Sequence, residues 1–135
     1  MLFRSAVWFM DGTTRIGEQV PQPTTVPSDW RLVGSADFDR DGQLDLVWQS
    51  LTTGDLYLWY MNGTALRLEH AIGRFGDGWQ ARAVADFDLD GRPDIVWQKS
   101  SGELSAWFMN DATVVRIATL TPGLVNPAWT IVGAR

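Results

Sequence analysis

The sequence predicts an all-β fold assembled from units of four antiparallel strands, about three units per chain, and three observations carry that reading. The first is an internal repeat: Trp30 to Asn62 and Trp79 to Asn110 are near copies offset by 49 residues. The second is that each copy holds an acidic D-x-D-x-D-G-x-x-D loop followed at once by a short apolar run. The third is a composition of 45% hydrophobic residues with eight Trp among 135 residues, enough to fill a core and too apolar for disorder. Four short strands per repeat of roughly fifty residues describe the blade of a β-propeller, in which each unit packs its apolar face on the next.

The elements follow in order along the chain. Residues 1–29 read as a partial blade, with a third strand at Ala6–Met10, a fourth at Arg15–Val20, and the Pro-rich stretch Pro21–Pro27 as the connection to the next unit. Residues 30–78 make a full blade with strands at Trp30–Ala36, Leu44–Gln49, Leu56–Met61 and Ala65–Ile72. Residues 79–128 repeat it with strands starting at Trp79, Asp94, Leu104 and Thr113, and residues 129–135 form the first strand of a shared blade at Trp129–Val132. Turns fall at Asp41-Gly42, Thr53-Gly54, Asn62-Gly63, Asp90-Gly91 and Ser101-Gly102, where glycine admits positive φ, so consecutive strands are joined as hairpins. The run Leu44 to Trp48 is apolar on both faces, as a sheet covered from both sides requires.

The repeat extends outward from these two copies. Trp8-Phe9-Met10-Asp11-Gly12 aligns with Trp59-Tyr60-Met61-Asn62-Gly63 and with Trp107-Phe108-Met109-Asn110-Asp111, and Ala128 to Ala134 aligns with Asp29 to Ser35. The third unit is therefore split between the two ends and lacks the counterpart of Asp37 to Leu51. Two complete blades alone leave apolar faces bare, so the propeller is expected to be completed by oligomerisation, as a homo-oligomer, or by a longer parent chain.

Charge and cysteine content close off several functions. A net charge of −5 with no basic stripe speaks against nucleic acid as a partner. With no Cys, disulfides and thiolate metal sites are excluded. No apolar run is long enough for a spanning helix, so membrane insertion is not expected. The opening Met1 to Ser5 lacks the charged-then-apolar layout of a signal peptide, and any export signal is expected on a longer parent chain.

The acidic loops carry the main chemical expectation. Asp37, Asp39, Asp41 and Asp45 occupy loop positions one, three, five and nine, with Gly42 at the bend, and Gln43 is placed to supply a backbone carbonyl. The second loop repeats the set with Asp86, Asp88, Asp90 and Asp94, and with Arg92 as the carbonyl donor. Crowded carboxylates repel one another unless a cation sits among them, and an oxygen-only set in a flexible loop suits calcium better than magnesium. An EF-hand is excluded, because Trp48 and Trp97 stand where its bidentate Glu belongs and no helical pattern flanks the loops. A loop that saturates its ion leaves little open coordination, so the calcium is expected to brace the hairpin rather than polarise a substrate.

The string Trp-x-x-x-Gly-x-Ala-Asp-Phe-Asp-x-Asp-Gly-x-x-Asp-x-Val-Trp-Gln, followed by Thr-Gly-Asp or Ser-Gly-Glu and Trp-x-Met-Asn, resembles the FG-GAP/VCBS repeat. The resemblance covers nearly the whole chain, and it implies calcium in the acidic loops, a β-propeller fold, and an extracellular or periplasmic location. Members of that family occur in integrin heads, in fungal and bacterial lectins and in secreted bacterial proteins; the ending is most similar to the bacterial secreted and lectin-type members. Lectin-type members bind monosaccharides between adjacent blades, which implies a carbohydrate ligand here, with a protein surface as the alternative partner. Trp30, Trp79 and Trp129, each at the start of a blade, are the candidate ligand-binding rings, while Trp48 and Trp97 read as packing between blades. Catalysis has little support: His70 is the lone histidine and no nucleophile or phosphate-binding motif occurs. The enzyme alternative is a metal-assisted hydrolase of phosphoesters or glycosides, formed by the oligomer.

Overall fold

The structure, a computed structural model, describes residues 2–4, 7–11, 13–19 and 25–124, with side chains described at 13, 14 and 26–120. Among these residues there is no helix and there are twelve strands. They are β1 Leu2–Arg4, β2 Val7–Asp11, β3 Thr14–Gln19, β4 Thr25–Pro27, β5 Trp30–Ala36, β6 Asp45–Ser50, β7 Leu56–Asn62, β8 Ala65–Gly73, β9 Trp79–Ala85, β10 Asp94–Lys99, β11 Glu103–Asn110 and β12 Thr113–Leu124. Two four-stranded antiparallel sheets, β5-β6-β7-β8 and β9-β10-β11-β12, are the two full blades. β2 and β3 pair as the hairpin expected near the amino terminus. The strand expected at Trp129–Val132 lies outside the described residues.

One element departs from the sequence reading. The Pro-rich connection contributes a strand of its own, since β4 pairs with β1, Leu2 opposite Pro27. The second blade has the same feature built into one strand, where the tail of β12 pairs Leu124 with Glu103 at the start of β11. A short edge strand accommodates Pro27 because its outer side needs no ladder donor.

The two-residue side-chain period of the strands divides the core between successive faces. Val47, Leu56, Leu58 and Tyr60 of the first blade meet Ala81, Val84, Ile95, Trp97, Trp107 and Met109 of the second in one buried cluster. The alternate residues Trp48, Trp59 and Met61 turn the other way and pack on Val26. Trp48 and Trp97 are 5% and 0% exposed, so both belong to packing as expected. Buried aromatic surface of this size is worth about 2–3 kcal/mol per ring in transfer alone.

Each blade stacks a ring on the Trp at its first strand, from a different source. In the first blade Trp30 lies on Tyr57 of β7, centroids 4.4 Å apart and nearly parallel. In the second the equivalent of Tyr57 is Ser105, and Phe75 of the connection fills the space, 4.2 Å from Trp79. The residue equivalent to Phe75 in the first unit is the smaller Val26. Ring and gap have exchanged positions between the two repeats, which conserves volume as close packing demands.

The inner strands β5 and β9 approach closely. A Cβ placed on Gly34 would lie 3.0 Å from Val84 Cγ2, so the contact depends on the missing side chain. Both inner strands carry a bulge at the same repeat position, Val33 in β5 and Arg82 in β9.

Candidate functional site

The acidic loops join β5 to β6 and β9 to β10, and their geometry is set by backbone donors closing on carboxylates. Asp37 accepts hydrogen bonds from the amides of Asp41 and Gly42 at 3.0 and 2.9 Å, and Asp86 accepts from Asp90 and Gly91 at 3.1 and 2.8 Å. Asp41 and Asp90 each accept from the amide two residues on, Gln43 and Arg92, at 2.8 Å. These Asx turns fold the loop before any ion is considered. The bend also needs positive φ at Arg40 (64°) and Leu89 (63°), beside Gly42 and Gly91.

Three of the four carboxylates in each loop converge. Asp37, Asp39 and Asp45 bring oxygens within 4.8 Å of one another, and Asp86, Asp88 and Asp94 do the same. Asp41 and Asp90 are outside these triples and serve the turns. Gln43 ties the loop to the next hairpin, its Oε1 accepting from the Gly63 amide at 3.0 Å. Arg92 enters through the hydrogen bond that its backbone amide donates to the Asp90 carboxylate. Oxygen-only triads of this size fit a hard divalent cation, with lone pairs left over after the backbone bonds are counted.

The ninth loop position has a second role that the sequence reading missed. Asp45 is fully buried, and its two oxygens accept from the amides of Phe38 and Met61 at 2.9 and 3.0 Å. Asp94 does the same for Phe87 and Met109, both at 3.0 Å. Burial pushes both carboxyls above the ordinary carboxylate value, partly offset by these amides, and the neighbouring Asp39 and Asp41, or Asp88 and Asp90, push the same way as burial.

Two arginines also reach the loops. Arg67 of β8 pairs with Asp39 and lies 3.9 Å from Asp41, while Arg116 of β12 stands 3.4 Å from Asp88. Their guanidinium groups sit over the Tyr60 and Phe108 rings, at 5.4 and 3.6 Å from the centroids. Arg67 occupies a bulge and Arg116 a paired position, so the two do not share a repeat register and the sequence alignment gave no signal for them.

The opposite end of the blades holds a cleft of about 330 Å³. Its walls are the β6–β7 turn of the first blade, the connection at Gly76 to Gly78 and the start of β9, with Trp79 among the lining residues. Gln49 fixes the two blades there: its Oε1 accepts from the Ala81 amide at 3.0 Å and from Arg31 at 3.2 Å, and its Nε2 donates to Gly54 and Trp79 carbonyls. Trp30 does not line this cleft; it is half-buried against Tyr57 and Trp59. Trp129 lies outside the described residues. His70 lines a second, open cleft with Tyr60, Asp111 and Arg67, where the Tyr60 hydroxyl donates to Asp111 across the blade boundary.

With this geometry in place, comparison with known proteins gives one match. Residues 37–97 match the family model of the FG-GAP-like repeat, from the first acidic loop to the strand after the second. That stretch is therefore similar to FG-GAP-like repeats, a family that suggests a β-propeller-type binding or adhesion module and is typically found in extracellular or surface proteins. No curated protein and no solved structure was found to match. Among the described residues no helix is long and apolar enough to cross a membrane.

Proposed function

We propose that the chain is a calcium-braced β-propeller module that binds carbohydrate in the manner of a lectin. The observation that carries this reading is the polar cleft between adjacent blades with the half-buried Trp79 ring in its wall. A flat indole offers a stacking face for sugar C–H groups, and the hydroxyls and amides around it suit sugar hydroxyls. Calcium would be held by Asp37, Asp39 and Asp45 in one loop and by Asp86, Asp88 and Asp94 in the other. When bound it neutralises crowded carboxylates and ties the loop to the strands, a bracing role at the far end of the blade from the cleft. Two blades fall short of a closed ring, so we propose that further blades come from additional copies of the chain or from a longer polypeptide. The mass in solution tests this, and a monodisperse monomer of 15.1 kDa would contradict assembly from copies.

A glycan array read with calcium and again with chelator tests the ligand class. Binding to a defined set of monosaccharides, lost in Trp79→Ala, is the expected result. A blank array from folded, calcium-loaded protein would overturn the reading. That outcome would favour a protein partner, the second reading, which rests on Leu68, Val115 and Ile117 standing 54%, 60% and 57% exposed on the outer strands β8 and β12. The calcium proposal has its own readout: chelator should lower the melting temperature, and an unchanged melt would sink it.

A further inference from the structure

We propose that the interblade cleft selects an acidic sugar, with the Arg82 guanidinium holding the carboxylate while the sugar ring lies against Trp79; this rests on the carbohydrate reading above. Arg82 occupies the bulge of β9, and both Arg82 and Trp79 line the cleft. The equivalent bulge residue in the first blade is Val33, and the aligned position near the carboxy terminus is Val132. A bulge exists in both blades for reasons of twist, whereas the arginine belongs to one blade only, so the fold itself does not call for it. Bulges re-aim side chains, and this one brings a guanidinium to the wall of a cavity.

The charge around Arg82 is uncompensated. Its Nε is buried without a hydrogen-bond partner, and so is that of Arg31. The two guanidinium groups are close enough that Arg82 adds to the effect of burial in disfavouring the charge on Arg31. Among the described residues neither has a carboxylate partner, in a chain whose net charge is −5. By contrast Arg67 and Arg116 are paired with loop aspartates, and Lys99, at the cleft rim, is 3.3 Å from Glu103 and 5.8 Å from the Trp79 ring centre. Asp77 is the one acid in the lining, set against Arg82 and Lys99. Arg82 in the wall and Arg31 behind it repel each other until an anion arrives in the cleft, and the planar fork of arginine matches a carboxylate with two parallel donors. Trp79 and the Thr52 and Thr53 side of the cleft supply what a bare anion would not need, an apolar face and sugar-hydroxyl partners.

The test is a calorimetric or ligand-observed NMR titration of the whole chain in calcium with four probes: glucuronate, glucose, acetate and inorganic sulfate. Glucuronate should bind about tenfold or more tightly than glucose and than acetate or sulfate, and added salt should weaken it. Arg82→Val, which installs the residue the first blade uses at this bulge, should remove that tenfold preference, so that glucuronate binds no more tightly than glucose. Should that variant fail to fold, Lys99→Gln at the rim should still weaken glucuronate about threefold more than it weakens glucose. Equal binding of glucuronate and glucose would overturn this inference and leave the carbohydrate reading standing. Sulfate or acetate binding as tightly as glucuronate would overturn it too, reducing the site to a plain anion pocket. Failure of every sugar to bind would remove both readings.

Discussion

At the scale of single residues, each acidic loop divides labour among its aspartates. The ninth-position carboxylates join two strands, because Asp45 accepts from an amide in the loop and from another in β7. Asp45→Ala would leave two buried amides without acceptors at about 1–3 kcal/mol each, so a loss of about 3 kcal/mol is expected even in chelator. Denaturant melts of Asp37→Ala should differ: its larger effect should be in calcium, with a smaller loss in chelator from its exposed turn bonds. Equal losses of both variants under both conditions would contradict this division. Leu89 offers a gain. It is 87% exposed at φ 63°, a conformation that Asn tolerates better than Leu. Leu89→Asn should stabilise by about 0.5–1 kcal/mol, read as a higher denaturant midpoint with unchanged slope.

Several residue roles were legible in the sequence and several were not, for physical reasons. The spacing of Asp37, Asp39 and Asp45 announces convergence because the intervening Gly42 forces the chain back on itself. That Asp45 also serves two amides is hidden, since a carboxylate that binds an ion and one that caps strands are the same letter. Arg67 and Arg116 escaped notice because they stand one repeat position apart, Arg67 at the bulge of β8 and Arg116 just past the equivalent bulge at Val115 in β12. Tyr60 and Asp111 escaped because their contact joins different blades. Asp111 stands at φ 58° where the first blade has Gly63, a substitution that looks like drift until its carboxylate is seen to receive the Tyr60 hydroxyl.

At the scale of elements, strand order and boundaries were readable almost to the residue because short apolar runs alternate with turn signals. β6, for example, begins at Asp45 where Leu44 was expected. The strand contributed by the connection was not readable, because proline signals loop and the pairing of β4 with β1 is non-local. Packing between elements gives a sharp prediction at Gly34. Gly34→Ala sets a methyl against the Val84 side chain at 3.0 Å, so it should destabilise by about 1–3 kcal/mol. A neutral melt would mean that β5 and β9 separate without cost. In the second blade the equivalent residue is Ala83, 2% exposed, so a methyl is accommodated there and the prediction is specific to the first interface.

At the scale of the whole molecule, two opposed ends emerge: acidic loops at one, the cleft at the other. Stability should depend on pH in a direction set by whether the proposed calcium is bound. Asp45 and Asp94 have folded values raised above the ordinary 3.8, so their contribution is fully present below that value and is lost as pH rises through the raised values. In chelator, thermal melts should therefore show these two groups favouring the folded state most below the ordinary value of 3.8 and progressively less as pH rises above it, and Asp45→Asn should flatten that dependence. In calcium the dependence should reverse, since protons then compete with the ion for the same oxygens. A chelated protein that only loses stability on mild acidification, with the asparagine variant unchanged, would contradict the assignment.

The exchange of ring and gap between the repeats, Tyr57 with Val26 in one and Phe75 with Ser105 in the other, makes the units non-interchangeable despite their shared pattern. A shuffled chain that set a copy of residues 30–78 behind a Phe75-type connection would bring two aromatic rings into room for one. Each seam thus carries its own key, and the order of the units along the chain is written into their sizes.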